Sequence, residues 1–245
     1  MTPENLEFET NELGQPVGKP VVGWKQPPRP PRRVLAGRFC RLEPLDPARH
    51  AAALYAANSR DTTGRNWTYL PYGPFPTLDA YRNWVEGVAH GSDPLFYAVV
   101  GGQPGDAIGV ASFLRISPES GSIEVGHINS SPLLQRSASA TESMFLMMAE
   151  AFGFGYRRYE WKCDALNVPS RAAALRLGFA FEGIFRSATI VKGRNRDTAW
   201  YAITDDRWPG IRDSFLQWLD GSNFDASGKQ RRRLAEFMPA TATTR

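Results

Sequence analysis

Ile123-Glu-Val-Gly-His-Ile128, then Ser130-Ser-Pro-Leu-Leu-Gln-Arg-Ser-Ala-Ser-Ala140, then Thr141 through Phe152 carry the reading that decides the fold. The first piece alternates apolar and polar residues, the period of two that marks a strand. The second gathers small and hydroxyl side chains around Arg136. The third repeats Met144, Met147, Met148 and Ala151 at helical spacing. Tyr156 to Cys163 reads as a further strand. Asn167-Val-Pro-Ser170 is a helix start, with Asn167 as N-cap and Pro169 in the first turn. Gly178 ends that helix, because positive φ is cheap there, and Phe179 opens another strand.

A helix that begins behind a loop of small residues presents unpaired N–H groups and the positive end of its dipole. A pyrophosphate fits such a place, and Arg136 adds a charge-assisted contact. An ordinary strand–helix connection has the same outline, and on the loop alone that plainer reading leads.

Further motifs separate them. Gln135-Arg-Ser-Ala138-Ser-Ala140 resembles the acyl-CoA loop of the GCN5-related N-acetyltransferase (GNAT) superfamily, Gln/Arg-x-x-Gly-x-Gly/Ala, with Ala138 at the middle glycine position. Asn167-Val-Pro-Ser170 and Leu177-Gly-Phe179-x-x-Glu182-Gly183 resemble its Asn-x-x-Ser and Leu-Gly-Phe-x-x-Glu-Gly signatures. Ile123-Glu-Val-Gly126 and Ala140-Thr-Glu142 resemble the RimJ/RimL-like branch, whose known members acetylate protein N-termini or small amines. The motifs follow one another in order, and the resemblance spans Gly37 to about Trp208. It implies an α/β (α+β) GNAT fold, a central mixed, mostly antiparallel sheet of about seven strands flanked by about four to five helices. It also implies acetyl-CoA as co-substrate and an amine acceptor, a small molecule or a protein N-terminus. Ile128, Leu133, Leu134, Gln135, Arg136, Ser137, Ala138, Ser139, Ala140, Thr141, Asn167 and Ser170 are then expected to hold acetyl-CoA.

Acetyl transfer needs a neutral amine, donors for the carbonyl oxygen, and a proton for the leaving thiolate. Glu124 is the candidate base: alternation turns it away from the apolar Ile123 and Val125, towards the cleft or towards solvent. Ser170 is the candidate donor to the leaving sulfur, a general-acid role that the resemblance implies. As first-turn residues, Ser170 and Asn167 also read as helix caps, and the two roles are compatible. The glutamate that RimL-like enzymes carry after Gly-Phe-x-x-Glu-Gly falls at about Thr189 here. His127 alternates to the face opposite Glu124 and reads as structural. Asp164 and Glu160 are weaker candidates for the base. Cys163 and Cys40 lie in strands and read as buried free thiols. No metal-ligand spacing appears. The alternative to an enzyme is a non-catalytic acyl-CoA-binding or interaction module on the same fold.

Trp67-Thr-Tyr-Leu-Pro-Tyr-Gly-Pro-Phe75 reads as neither helix nor strand. Trp67, Tyr69, Tyr72 and Phe75 are expected to wall the acceptor site; packing onto the core is the plainer reading. Pro47–Asn58 and Thr77–Ala89 read as helices, Phe39–Glu43, Leu95–Val100 and Ala107–Ile116 as strands. Phe185–Val191 and Thr198–Ile203 are strands separated by a basic turn, Lys192 to Asp197, and Gly210–Leu219 is a closing helix.

The 245 residues, 42% hydrophobic and 22% charged, suit one globular domain with extensions. No apolar run is long enough to span a membrane. The acidic, polar start is not a signal peptide, so a cytoplasmic monomer or homodimer is expected. Residues 1–33, rich in proline, read as an irregular extension, 34–220 as the catalytic domain, and 221–245 as a basic tail. Lys25, Arg29, Arg32, Arg33, Lys229, Arg231, Arg232 and Arg233 outnumber the whole surplus of +4. The basic character therefore sits in two arms, read as solvated rather than bound to RNA or a ribosome.

Overall fold

The computed structural model describes residues 7–101 and 105–239. Its strands and helices run β1 (Phe8–Thr10), β2 (Pro16–Gly18), β3 (Leu35–Ala36), β4 (Cys40–Pro44), α1 (Pro47–Asn58), α2 (Leu78–Ala89), β5 (Leu95–Gly101), β6 (Asp106–Ser117), β7 (Ser122–Ser130), α3 (Ala138–Gly153), β8 (Arg158–Asp164), α4 (Val168–Arg176), β9 (Ala180–Val191), β10 (Arg194–Thr204) and α5 (Trp208–Leu219). Among the described residues, β3 to β10 form one eight-stranded sheet in the order β3-β4-β5-β6-β7-β8-β10-β9. Neighbours pair antiparallel except β7 and β8, which run parallel.

Local chemistry starts α1, α2 and α4 where the sequence predicts. Asp46 caps α1 by accepting from Arg49 N–H at 3.0 Å, and Thr77 caps α2 through Ala80 N–H at 3.1 Å. Asn167 caps α4, and Gly178 beyond its end takes φ +93°. Helix α3 begins earlier than its apolar repeat suggests, because the Ser137 hydroxyl caps it at Ala140 N–H.

The sheet is buried on two sides. One face packs Tyr97, Phe113, Ile123, Val125, Tyr159 and Tyr201 with apolar residues of α3 and α5. The other packs Phe96, Ala98 and Val110 with α1, α2 and Trp67. Glu142 of α3, itself buried, accepts from the N–H groups of Arg38, Phe39 and Cys40 at 2.8, 2.6 and 2.9 Å. It fixes the start of β4 against α3 with charge-assisted bonds.

Several expectations change. The sheet has an eighth strand, the short edge β3, and β9 runs unbroken where two pieces were expected. The basic turn shrinks to Lys192-Gly193, both with positive φ, so β10 starts at Arg194. The β5–β6 hairpin pairs Gly101 with Asp106, and its tip at 102–104 lies outside the described residues. The extension contains the β1–β2 hairpin.

Its basic residues are exposed, as expected, yet some of them also bond the body. Arg33 forms a two-pronged pair with Glu150 at 2.8 and 2.6 Å, and Arg29 donates to Ile116 O at 3.2 Å. The Pro28 and Pro31 carbonyls accept from Tyr156 and Tyr97 hydroxyls, and Trp24 lies against Gly121. The C-terminal residues up to 239 also pack: Phe224 and Leu234 are buried in the main core. Proline-rich backbone has unpaired carbonyls to offer, and two tyrosines of the domain take them up, while Arg29 and Arg32 of the extension donate to carbonyls of the domain.

Candidate active site

Strands β7 and β8 pair from Ser122↔Arg158 to Val125↔Trp161, where their pairing ends. Beyond that point β7 takes a bulge. Ser112 pairs with Gly126 and Val110 with Asn129, so β7 carries one residue more than β6, and His127 has φ +50°. The extra residue shifts the alternation. His127 therefore joins Phe96 and Tyr72 on the α1–α2 face, where Glu124 also lies, and not the opposite face expected from strict alternation.

Glu124 is 2% exposed and not the open carboxylate that alternation left possible. Arg115 donates to its Oε1 at 2.7 Å. Lys162 Nζ lies 2.9 Å from Oε2, close enough for an ion pair but off the line of a hydrogen bond. Lys162 also reaches Glu160 at 2.7 Å, and its ammonium stands 3.8 Å from the Trp200 ring centre. Burial pushes the Glu124 carboxyl above the usual range, and the charges of Lys162 and Arg115 pull against that shift. Glu160 is held by Arg158 and Lys162, and Asp164 accepts from Leu166 N–H in a turn, so neither carboxylate is free.

His127 Nδ1 lies 3.2 Å from the Tyr72 hydroxyl, and the two rings stack. Burial, with the nearby charge of Arg115, lowers the imidazole to about 4, so it is neutral at pH 7. Tyr72, Trp84, Val88, Pro94, Phe96 and His127 line a cavity of about 220 Å³ beside the bulge. Of the aromatic loop, Tyr69, Tyr72 and Phe75 are half-buried, whereas Trp67 is 4% exposed and anchors the loop in the α1–α2 core. Trp67 is thus the loop's support, and a wall only through its neighbours.

On the other side of the gap, the Ser170 hydroxyl accepts from Trp161 Nε1 at 3.0 Å and keeps its own hydrogen to donate, with the Cys163 thiol beside it. Asn167 Oδ1 accepts from Ser170 N–H at 3.2 Å; the cap reading holds, and the side-chain amide nitrogen remains a donor. Cys163 and Cys40 are buried free thiols, and burial raises both above the ordinary thiol range.

The loop before α3 offers backbone donors rather than side-chain ones. Arg136 takes φ +58°, and Ala138 is the first helical residue with ordinary negative φ, so its methyl group needs no special backbone. Among the described residues, the N–H groups of Arg136, Ala138 and Ser139 meet no acceptor. The side chains are largely spoken for. Ser137 donates to Leu134 O, Ser139 to Phe39 O, and Gln135 to Asn66 Oδ1 and Ser130 O. Leu134 is buried, Leu133 exposed, and Ile128 half-buried against the core. The Thr141 hydroxyl accepts from Arg176 at 3.2 Å, which brings a second guanidinium to the α3 N-terminus.

Arg115, Lys162, Trp84, Phe96 and Arg176 carry no motif in the sequence; the bulges and the strand order bring Arg115 and Lys162 to Glu124, α2 sets Trp84 against Phe96, and α4 carries Arg176 to Thr141. Among the described residues, no group of three or more His, Cys, Asp or Glu side chains is placed to hold a metal ion, and no helix is long and apolar enough to cross a membrane.

The chain and its fold have counterparts among known proteins. Residues 40–180 match the family profile of the acetyltransferase (GNAT) domain. A GCN5-related N-acetyltransferase from Brucella melitensis is 43% identical, with a TM-score of 0.86 over 89% of this chain and 99% of that one. A GNAT-family protein from Chromobacterium violaceum is 40% identical, with a TM-score of 0.74 over 80% and 98%. The Microcin C7 self-immunity acetyltransferase MccE, solved in complex with acetyl-CoA and AMP, shares the fold at 20% identity, with a TM-score of 0.60 over 69% and 93%. No curated protein matches the chain. The protein is thus an acyltransferase that uses acetyl-CoA. More particularly, it belongs to the GNAT acetyltransferase family.

Proposed function

We propose that this enzyme moves the acetyl group of acetyl-CoA to a primary amine by direct attack, and that it belongs to the RimJ/RimL-like branch. The observation that carries this reading is the end of β7–β8 pairing at Val125↔Trp161, with Glu124 and His127 on one strand and the Ser170 helix following the other. Acetyl-CoA, when bound, supplies an activated thioester. The free N–H groups at Arg136, Ala138 and Ser139, with the Arg136 and Arg176 guanidiniums, hold its phosphates. The Asn167 amide nitrogen steadies the pantetheine arm. Glu124 takes the acceptor's proton, directly or through one water, since its burial makes it a better base. Ser170 donates to the leaving sulfur. We place the reaction in the cytoplasm, where Cys40 and Cys163 stay reduced.

Thiol release from acetyl-CoA across a panel of primary amines tests the reaction; no release with any amine overturns it. Arg136→Glu puts a negative charge beside the phosphates and is expected to weaken acetyl-CoA binding by at least about tenfold, read by calorimetry. Unchanged affinity would mean that the phosphates lie elsewhere. Ser170→Ala is expected to lower kcat by no more than about tenfold, because water can replace the hydroxyl. A loss near that of the base variant would give Ser170 a larger part.

A further inference from the structure

Three hydrogen bonds join the aromatic loop to the far side of the gap, and two of them come from one ammonium. Lys192 Nζ lies 2.8 Å from Trp67 O and 2.9 Å from Gly73 O. The Tyr69 hydroxyl donates to Leu166 O at 3.2 Å. The loop grows from the α1 side of the molecule, beside β7. Lys192 and Leu166 belong to the β8–β10–β9 side. One side chain thus grips both ends of the segment that contains Tyr72.

The backbone at Lys192 is not what a lysine prefers. Lys192-Gly193 is a two-residue hairpin turn with φ +50° and +73°. Asparagine or glycine sits more easily at the first of these positions. The long side chain, rather than backbone fit, explains a lysine there.

Tyr72 is both part of the gripped loop and a wall of the cavity of about 220 Å³. Its ring centre lies 4.5 Å from that of Trp84 and 5.7 Å from that of His127. The lining is aromatic and aliphatic, with a neutral imidazole at the edge facing the bulge. An apolar cavity of about 150 Å³ holds a benzene ring, so this one takes a single ring with a short linker.

We propose that Lys192 determines acceptor specificity: by gripping Trp67 and Gly73 it keeps Tyr72 as a cavity wall, and so favours primary amines with a single-ring or branched aliphatic body over extended peptide N-termini. The inference rests on the primary-amine reading above.

The full chain, Lys192→Ala and Lys192→Arg are compared in three measurements. Calorimetry gives acetyl-CoA affinity, hydrogen–deuterium exchange reports on residues 67–75, and thiol release gives kcat and KM for 2-phenylethylamine and tetraalanine. Wild type is expected to prefer 2-phenylethylamine. Lys192→Ala is expected to exchange faster at residues 67–75 with acetyl-CoA affinity unchanged. It raises KM for 2-phenylethylamine by about tenfold with kcat little changed, and shifts the preference towards tetraalanine by a similar factor. Lys192→Arg, which keeps the cation, restores most of both effects. Unchanged exchange, or an unchanged preference in Lys192→Ala, overturns the role of Lys192. A wild type that binds acetyl-CoA yet prefers tetraalanine, or acetylates neither probe while acetylating other amines, overturns the acceptor class alone. No transfer to any amine overturns the underlying reading, and this proposal with it.

Discussion

Glu124→Gln is expected to lower kcat by about 10²–10⁴-fold, the usual loss when a general base is removed, with KM for acetyl-CoA nearly unchanged. The substitution keeps shape and leaves Lys162 paired with Glu160 at 2.7 Å, so the fold has no uncompensated buried charge to expel it. The pH profile carries the finer test. Burial raises the Glu124 carboxyl, so the wild-type rate falls as pH drops through a value above the ordinary carboxylate range. That acidic limb should be absent in Glu124→Gln. Arg115→Met removes one of the two charges that pull the carboxyl down, so its limb should move to higher pH, while Lys162 still faces the carboxylate. If Glu124→Gln keeps the full rate and the wild-type profile, the proton leaves by another route, with an ordered water next in line. If it loses the rate but keeps the limb, Glu124 positions the acceptor and does not titrate in catalysis.

Truncation after Asp220 is expected to destabilise the protein by several kcal/mol. Reading the tail as a free basic arm leads to the opposite expectation, that a shortened chain keeps its activity. The structure places Phe224 in the core, its ring centre 4.6 Å from Phe39 and 5.3 Å from Trp218. Leu234 is 2% exposed. The Ser214 hydroxyl bonds the Phe237 carbonyl at 2.7 Å, and Trp218 Nε1 donates to Gln230 at 2.8 Å. Losing two such buried side chains costs about 3–6 kcal/mol, a large share of the roughly 5–15 kcal/mol that holds a domain folded. Urea unfolding of the shortened and full chains measures it. Equal midpoints and slopes would mean that these contacts hold nothing.

The path of the chain was readable because its signals are local. Asp46-Pro47, Thr77 and Asn167 each start a helix with atoms three residues away. Gly178 ends one through its own backbone. The order of motifs from Ile123 to Glu182 pointed to the family that residues 40–180 match. Where a side chain faces is a different matter. A single extra residue in β7 carries His127 to the face of Glu124, and no alternation rule foresees a bulge from one strand's own residues. Arg115, with φ +46° at a second irregularity, reaches Glu124 for the same reason.

By itself, then, the sequence determined most of the elements and the sheet class, because caps and periodicity act within a few residues. Tertiary structure alone decided which charges surround Glu124, what Lys192 holds, and that Trp24 to Arg33 and Phe224 to Phe237 pack against the body. Those outcomes depend on strand register and on pairs as far apart as Arg33 with Glu150 and Lys192 with Trp67. A register shift of one residue turns every side chain beyond it to the other face, and that choice is made only when the strands meet.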